Sequence, residues 1–151
     1  MIDKIFLDMD GTIANLYAVQ GWLPMLRAFD PTPYAQAEPM VNMALLARYI
    51  HKVQRLGIKV CILSWLSKTS TPQYDEQVTK AKREWLRKHL PSVSFDEIHI
   101  VPYGVPKYQF ATHNSFLIDD EDKNLIEWDT NVFYGCGIRA NEIMNFLQSL
   151  Q

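Results

Sequence analysis

Two aspartates stand two positions apart where a short apolar run gives way to glycine, in Ile5-Phe6-Leu7-Asp8-Met9-Asp10-Gly11-Thr12. A carboxylate placed there can attack an electrophilic centre and carry it as a covalent intermediate, which divides one difficult hydrolysis into two easier steps. A second carboxylate two residues on can protonate a departing oxygen and later take a proton from water. Asp8 suits the first task and Asp10 the second. Reading the same acids as a calcium loop fails on spacing, because that loop sets three alternating oxygen ligands before its glycine and Gly11 follows only two.

Two more apolar runs end in polar groups. Ile58 to Leu63 leads to Ser64, and Phe116 to Ile118 leads to Asp119 and Asp120. Phosphoryl transfer accounts for this choice of residues. Several carboxylates crowded beside a phosphate dianion repel it and one another, so a hard cation with oxygen ligands must bridge them. Magnesium is the expected ion, held by Asp8, Asp10 through its main chain, and Asp119 or Asp120. A hydroxyl and a fixed cation would then hold the transferring oxygens. Ser64 supplies the hydroxyl. Lys107, in a proline-containing loop twelve residues before Asp119, supplies the cation in competition with Lys68, Lys80 and Lys82, of which Lys68 is the substitute. Glu121 and Asp122 fit the N-terminus of a following helix, where negative charge is favoured.

Such groups must be brought together by elements far apart in the chain. Short apolar runs alternate with helical patterns, the signature of an α/β fold in which helices sandwich a parallel sheet. Strands are expected over Lys4 to Asp8, Ile58 to Ser64, Glu97 to Val101, Ser115 to Asp119 and, last, Asn131 to Tyr134. A helix is expected to open near Glu38-Pro39 and close at Gly57. A second runs from about Tyr74 to Leu90, with Val78, Ala81, Trp85 and Leu86 facing inward and Lys80, Lys82, Arg83, Arg87 and Lys88 facing water. Lys123 to Trp128 and Asn141 to Leu150 complete the helices. Residues 14–38 break this alternation: Pro24, Pro31 and Pro33, with Pro39 just beyond, permit only short, interrupted helices. They are expected to form a small cap inserted after the first strand, leaving residues 1–13 and 39–151 as the core domain. In a parallel sheet, ligands bind beyond the carboxyl ends of the strands, which is where Asp8, Ser64 and Asp119 fall.

Composition narrows the partners. With 151 residues, 48% of them hydrophobic, the chain can bury one substantial core. A formal net charge of −2 gives no basic field for a polynucleotide or an anionic membrane. No run has the length and apolarity of a membrane span or a leader peptide, so a cytoplasmic protein is expected. Cys61 and Cys136 lie far apart without metal spacing, as two reduced thiols would. The four histidines also lack ligand spacing, and no phosphate-cradling or dinucleotide glycine motif occurs.

In their order, Asp8-Met9-Asp10-Gly11-Thr12, Ser64, Lys107 and Leu117-Ile118-Asp119-Asp120 resemble the four motifs of the haloacid dehalogenase (HAD) superfamily. Within it the chain is most similar to the 5'(3')-deoxyribonucleotidases, through the run Lys82 to Leu90 and through Asn124 and Trp128 after the acid pair. The resemblance implies a HAD-like, Rossmann-like sheet and a Mg2+-dependent phosphomonoester hydrolase acting through an aspartyl-phosphate. It implies Asp8 as nucleophile, Asp10 as acid and base, Ser64 and Lys107 as phosphoryl ligands, and Asp119 and Asp120 as the metal pair. Nucleoside 5'- or 3'-monophosphates are the expected substrates, contacted by Gly11, Thr12, Tyr17, Trp22 and Trp65. A sugar phosphate or other small phosphorylated metabolite is the alternative, and an idle magnesium- or phosphate-binding module the third reading. Where those nucleotidases carry Ser-Pro after the second motif, this chain has Trp65-Leu66. A homodimer is compatible with the resemblance.

Overall fold

The computed structural model describes residues 1–151. In chain order its regular elements are β1 (Lys4–Leu7), β2 (Ala14–Asn15), α1 (Trp22–Arg27), α2 (Thr32–Gln36), β3 (Glu38–Pro39), α3 (Met43–Arg55), β4 (Lys59–Trp65), α4 (Pro72–His89), β5 (Glu97–Val101), β6 (Ser115–Asp119), α5 (Asp122–Asn131), β7 (Gly137–Arg139) and α6 (Ile143–Ser149). Short 3-10 turns cover Leu16–Ala18, Lys107–Phe110 and Ala140–Glu142.

Five strands form one parallel sheet in the order β5-β4-β1-β6-β7. Strands covered on both faces read as continuous apolar runs, and β1 divides its residues between two cores. Ile5 and Leu7 join Ile62, Ile118, Trp85 and the inner faces of α3 and α6, while Phe6 joins Cys61, Leu63, Leu117, Leu125 and Trp128. Register then sets the site. Leu7 pairs with Ile62 on one side and Ile118 on the other, so the chain leaves β1, β4 and β6 at one edge of the sheet. The Asp8 amide donates to the Ile118 carbonyl at 2.9 Å, which holds the first acid beside the residue that precedes Asp119.

Residues 14–39 leave and rejoin the core through a two-residue antiparallel ribbon, Ala14 opposite Pro39 and Asn15 opposite Glu38. Between these, Pro24 and Pro33 sit in the first turns of α1 and α2, where no intrahelical N–H is required. Both helices end within two turns. Leu16, Leu26 and Tyr34 of this insert pack on Leu66 and on Tyr74 and Val78 of α4.

Two elements differ from the sequence reading. The third helix does not open at Glu38-Pro39: those residues form β3, and α3 starts at Met43, where the Asn42 side chain accepts from the Leu45 amide at 3.0 Å. The last strand is not Asn131 to Tyr134 but Gly137–Arg139. The α5 helix continues to Asn131, and Phe133 and Tyr134 face solvent, 80% and 68% exposed. Close approach explains the shift toward glycine, since a Cβ at Gly135 would sit 1.6 Å from the Ser115 carbonyl oxygen and one at Gly137 would sit 2.9 Å from Leu125. No helix is long and apolar enough to cross a membrane.

Candidate active site

The edge where β1, β4 and β6 end forms the floor of a cavity of about 860 Å3, lined by Asp8, Asp10, Lys107, Asp119 and Asp120. Lys107, 2% exposed, donates to Asp8 Oδ1 at 2.9 Å and to Asp119 Oδ2 at 2.7 Å. Burial works against its ammonium, but the two carboxylates outweigh burial and raise its pKa above the ordinary lysine value. Thr12 donates to Asp8 Oδ2 at 3.3 Å, so both oxygens of Asp8 are oriented. Asn124 donates to Asp119 Oδ2 at 3.1 Å, and the Glu121 amide donates to Asp119 Oδ1 at 2.9 Å.

Asp8, Asp119 and Asp120 present carboxylate oxygens within 4.8 Å of one another. Three carboxylates at that separation are unstable as neighbouring anions. Burial, then the charge of Asp8, lifts Asp119 above the ordinary carboxylate range against the pull of Lys107. The same two causes, in the same order, push Asp120 up to about 8. An all-oxygen set under this strain suits a hard divalent cation such as magnesium. Gly11 belongs to the arrangement: its φ of 81° is open to glycine, and a Cβ there would lie 2.2 Å from Asp120 Oδ2.

The fold is shared with solved structures. A D,D-heptose 1,7-bisphosphate phosphatase from Burkholderia thailandensis superposes with a TM-score of 0.62 at 11% identity, over 98% of this chain and 97% of that one. A putative HAD-like phosphatase from Mesorhizobium loti gives 0.57 at 15%, over 98% and 85%. The HAD domain of the Legionella pneumophila effector Lem4 gives 0.52 at 14%, over 98% and 94%. The chain has a HAD-like fold. Neither a family model nor a curated protein matches its sequence.

On this HAD-like frame the remaining sequence candidates divide. Tyr17, Trp22 and Trp65 line the cavity. Tyr17 meets Trp22 edge to face at 5.0 Å, and Trp65 meets Tyr103 at the same centroid distance. Gly11 and Thr12 do not line this cavity but border a neighbouring one together with Asp120, and Thr12 is 2% exposed. Ser64 is fully buried and does not line the cavity either. Among the candidates for the cationic role, Lys107 holds Asp8 and Asp119, Lys68 stands on the cavity wall without an ion pair, and Lys80 lies on the exposed face of α4 beside Glu84.

Sequence reasoning misplaced one residue. Lys82, expected on the wet face of α4, is 1% exposed and donates to Asp10 Oδ2 at 2.8 Å, to Ser64 Oγ at 2.7 Å and to the Trp65 carbonyl at 2.7 Å. It is the residue through which Ser64 reaches Asp10. The signal was present in the spacing, four residues after Val78 and three before Trp85, which puts Lys82 on the apolar stripe of the helix. Asp10 itself is lifted above the ordinary carboxylate range by burial, with Lys82 acting in opposition.

Proposed function

We propose that the chain is a magnesium-dependent phosphomonoester hydrolase that works through an aspartyl-phosphate on Asp8. One observation carries the reading: Asp8 is oriented by Lys107 and Thr12 on a cavity floor where Asp119 and Asp120 crowd its carboxylate and Asp10 stands alongside. A nucleophile, an acid, a fixed cation and a metal set then share one space.

An oxygen of Asp8 attacks phosphorus, the P–O ester bond breaks, and Asp10 gives its proton to the leaving alkoxide. Water then attacks the aspartyl-phosphate, Asp10 takes the water proton, and inorganic phosphate leaves with Asp8 restored. Asp8, Asp119, Asp120 and the Asp10 main chain would hold magnesium, which when bound supplies neutralisation of the phosphoryl and carboxylate charge. Lys107 fixes Asp8 and places a positive charge beside the transferring group.

Nucleoside 5'- or 3'-monophosphates are the substrate class we favour. The aromatic pairs Tyr17–Trp22 and Trp65–Tyr103 wall the cavity and offer ring faces and edges to a planar base. A second reading, a sugar phosphate or bisphosphate, is favoured by Arg27 and Lys68, which line the same cavity without ion pairs and suit a distant anionic group. The heptose bisphosphate phosphatase of similar fold acts on such a compound. Hydrolysis should be followed for deoxy- and ribonucleoside 5'- and 3'-monophosphates, sugar monophosphates and sugar bisphosphates, with and without Mg2+, alongside Asp8→Asn. Magnesium-dependent release of phosphate that falls by about 10³-fold or more in the variant is expected. Unchanged turnover in Asp8→Asn overturns the mechanism, and no turnover of any ester overturns the reading.

A further inference from the structure

We infer that Lys82 is a positioning residue for phosphoryl transfer: by donating to both Asp10 and Ser64 it fixes which atom of each is left to act, and it braces both against the inserted segment. The inference rests on the phosphohydrolase reading above. An ammonium carries three N–H donors and accepts nothing. Lys82 spends them on Asp10 Oδ2, Ser64 Oγ and the Trp65 carbonyl, and its Nζ lies 5.0 Å from the centre of the Tyr34 ring on α2. A lysine buried this deeply is stable only with such partners.

Two consequences follow from the direction of donation. Ser64 must turn a lone pair toward Lys82, which leaves its O–H free to donate. Asp10 has Oδ2 occupied, while its Oδ1 takes no hydrogen bond and the residue borders the cavity. Oδ1 is therefore the oxygen that exchanges a proton with the leaving group. Without Lys82 the carboxyl could rotate, or present either oxygen, and the acid would be misaligned while the nucleophile Asp8, held by Lys107 and Thr12, stayed in place.

That division supplies a test which a purely structural lysine would fail. An aryl ester with a good leaving group, p-nitrophenyl phosphate, departs with little help from an acid, whereas an alkyl phosphomonoester needs one. In Lys82→Met, kcat/KM for a nucleoside 5'-monophosphate or glycerol phosphate should fall at least about tenfold further than kcat/KM for the nitrophenyl ester. An equal loss on both esters, or no loss, overturns the inference and leaves the phosphatase reading intact. A wild-type chain inactive on both esters with Mg2+ removes the reading on which it rests. Thermal denaturation establishes that the variant is folded. If Lys82→Met does not fold, Lys82→Gln carries the same comparison, and selective or equal loss is read in the same way.

Discussion

Gly11 packs so closely against Asp120 that a Cβ at position 11 would lie 2.2 Å from the Asp120 carboxylate. Gly11→Ala should therefore act twice. The left-handed backbone at φ 81° costs an alanine about 1–2 kcal/mol of stability. The displaced Asp120 should separately weaken Mg2+ binding. Chemical denaturation measures the first effect and calorimetric titration with Mg2+ the second. A variant that is destabilised yet binds Mg2+ like the wild type would remove Asp120 from the ligand set.

If Asp120 is a metal ligand as proposed, Mg2+ binding should depend on pH. The Asp120 carboxyl is raised from 3.8 to about 8 by burial and by the negative charge of Asp8. The folded chain thus holds a proton that the unfolded chain releases near pH 4. In metal-free protein this contribution to stability is complete below the unfolded pKa and is lost as pH rises toward 8. Magnesium must displace that proton, so its apparent affinity should weaken by up to about tenfold per pH unit below 8 and level off above it. The gain in Tm on adding Mg2+ should be larger at pH 8 than at pH 6. A gain that is the same at both, or larger at pH 6, contradicts the assignment.

The acids were legible in the sequence because β1 and β6 are buried on both faces. An apolar run that stops at a carboxylate marks a sheet edge whatever the later packing, and Asp8 and Asp119 sit at two such stops. Lys82 is legible only in part: its spacing falls on the apolar stripe of α4, but a lysine among Lys80, Arg83 and Arg87 reads by type as solvated surface. Only the approach of Asp10 and Ser64 from other elements gives that ammonium its partners. Gly137 was missed as a strand for a related reason. Glycines ordinarily mark turns, and what selects Gly135 and Gly137 here is a backbone contact with Ser115 and a side-chain contact with Leu125, both distant in sequence.

Lys107 joins Asp8, the proposed nucleophile, to Asp119 of the proposed metal set. Replacing it by methionine leaves the buried carboxylates of Asp8 and Asp119 without their shared cation. Loss of one partner from such a buried pair costs about 3–5 kcal/mol. Metal-free Lys107→Met should lose stability on that scale in urea, and Mg2+ should restore part of it because the same carboxylates are its proposed ligands. Activity should not return with the metal, since the cation beside the transferring phosphoryl group is gone. Full recovery of turnover in Mg2+ would show that Lys107 only neutralises the empty site.

The insert is tied to the core by side chains of α4 that donate to its main chain. Trp85 Nε1 donates to the Ala37 carbonyl at 2.7 Å with both residues buried, and the Tyr74 hydroxyl donates to the Asp30 carbonyl at 2.9 Å where the insert is partly open to water. Trp85→Phe keeps an aromatic ring but orphans a buried carbonyl, which should cost about 1–3 kcal/mol. Tyr74→Phe orphans a carbonyl that water can reach and should cost less, about 0.5–1.5 kcal/mol. For a chain of this size each kcal/mol lowers Tm by about 2–4 °C, so differential scanning calorimetry separates the two variants. The reverse ranking, or no effect of Trp85→Phe, would show that the Ala37 contact does not anchor the insert.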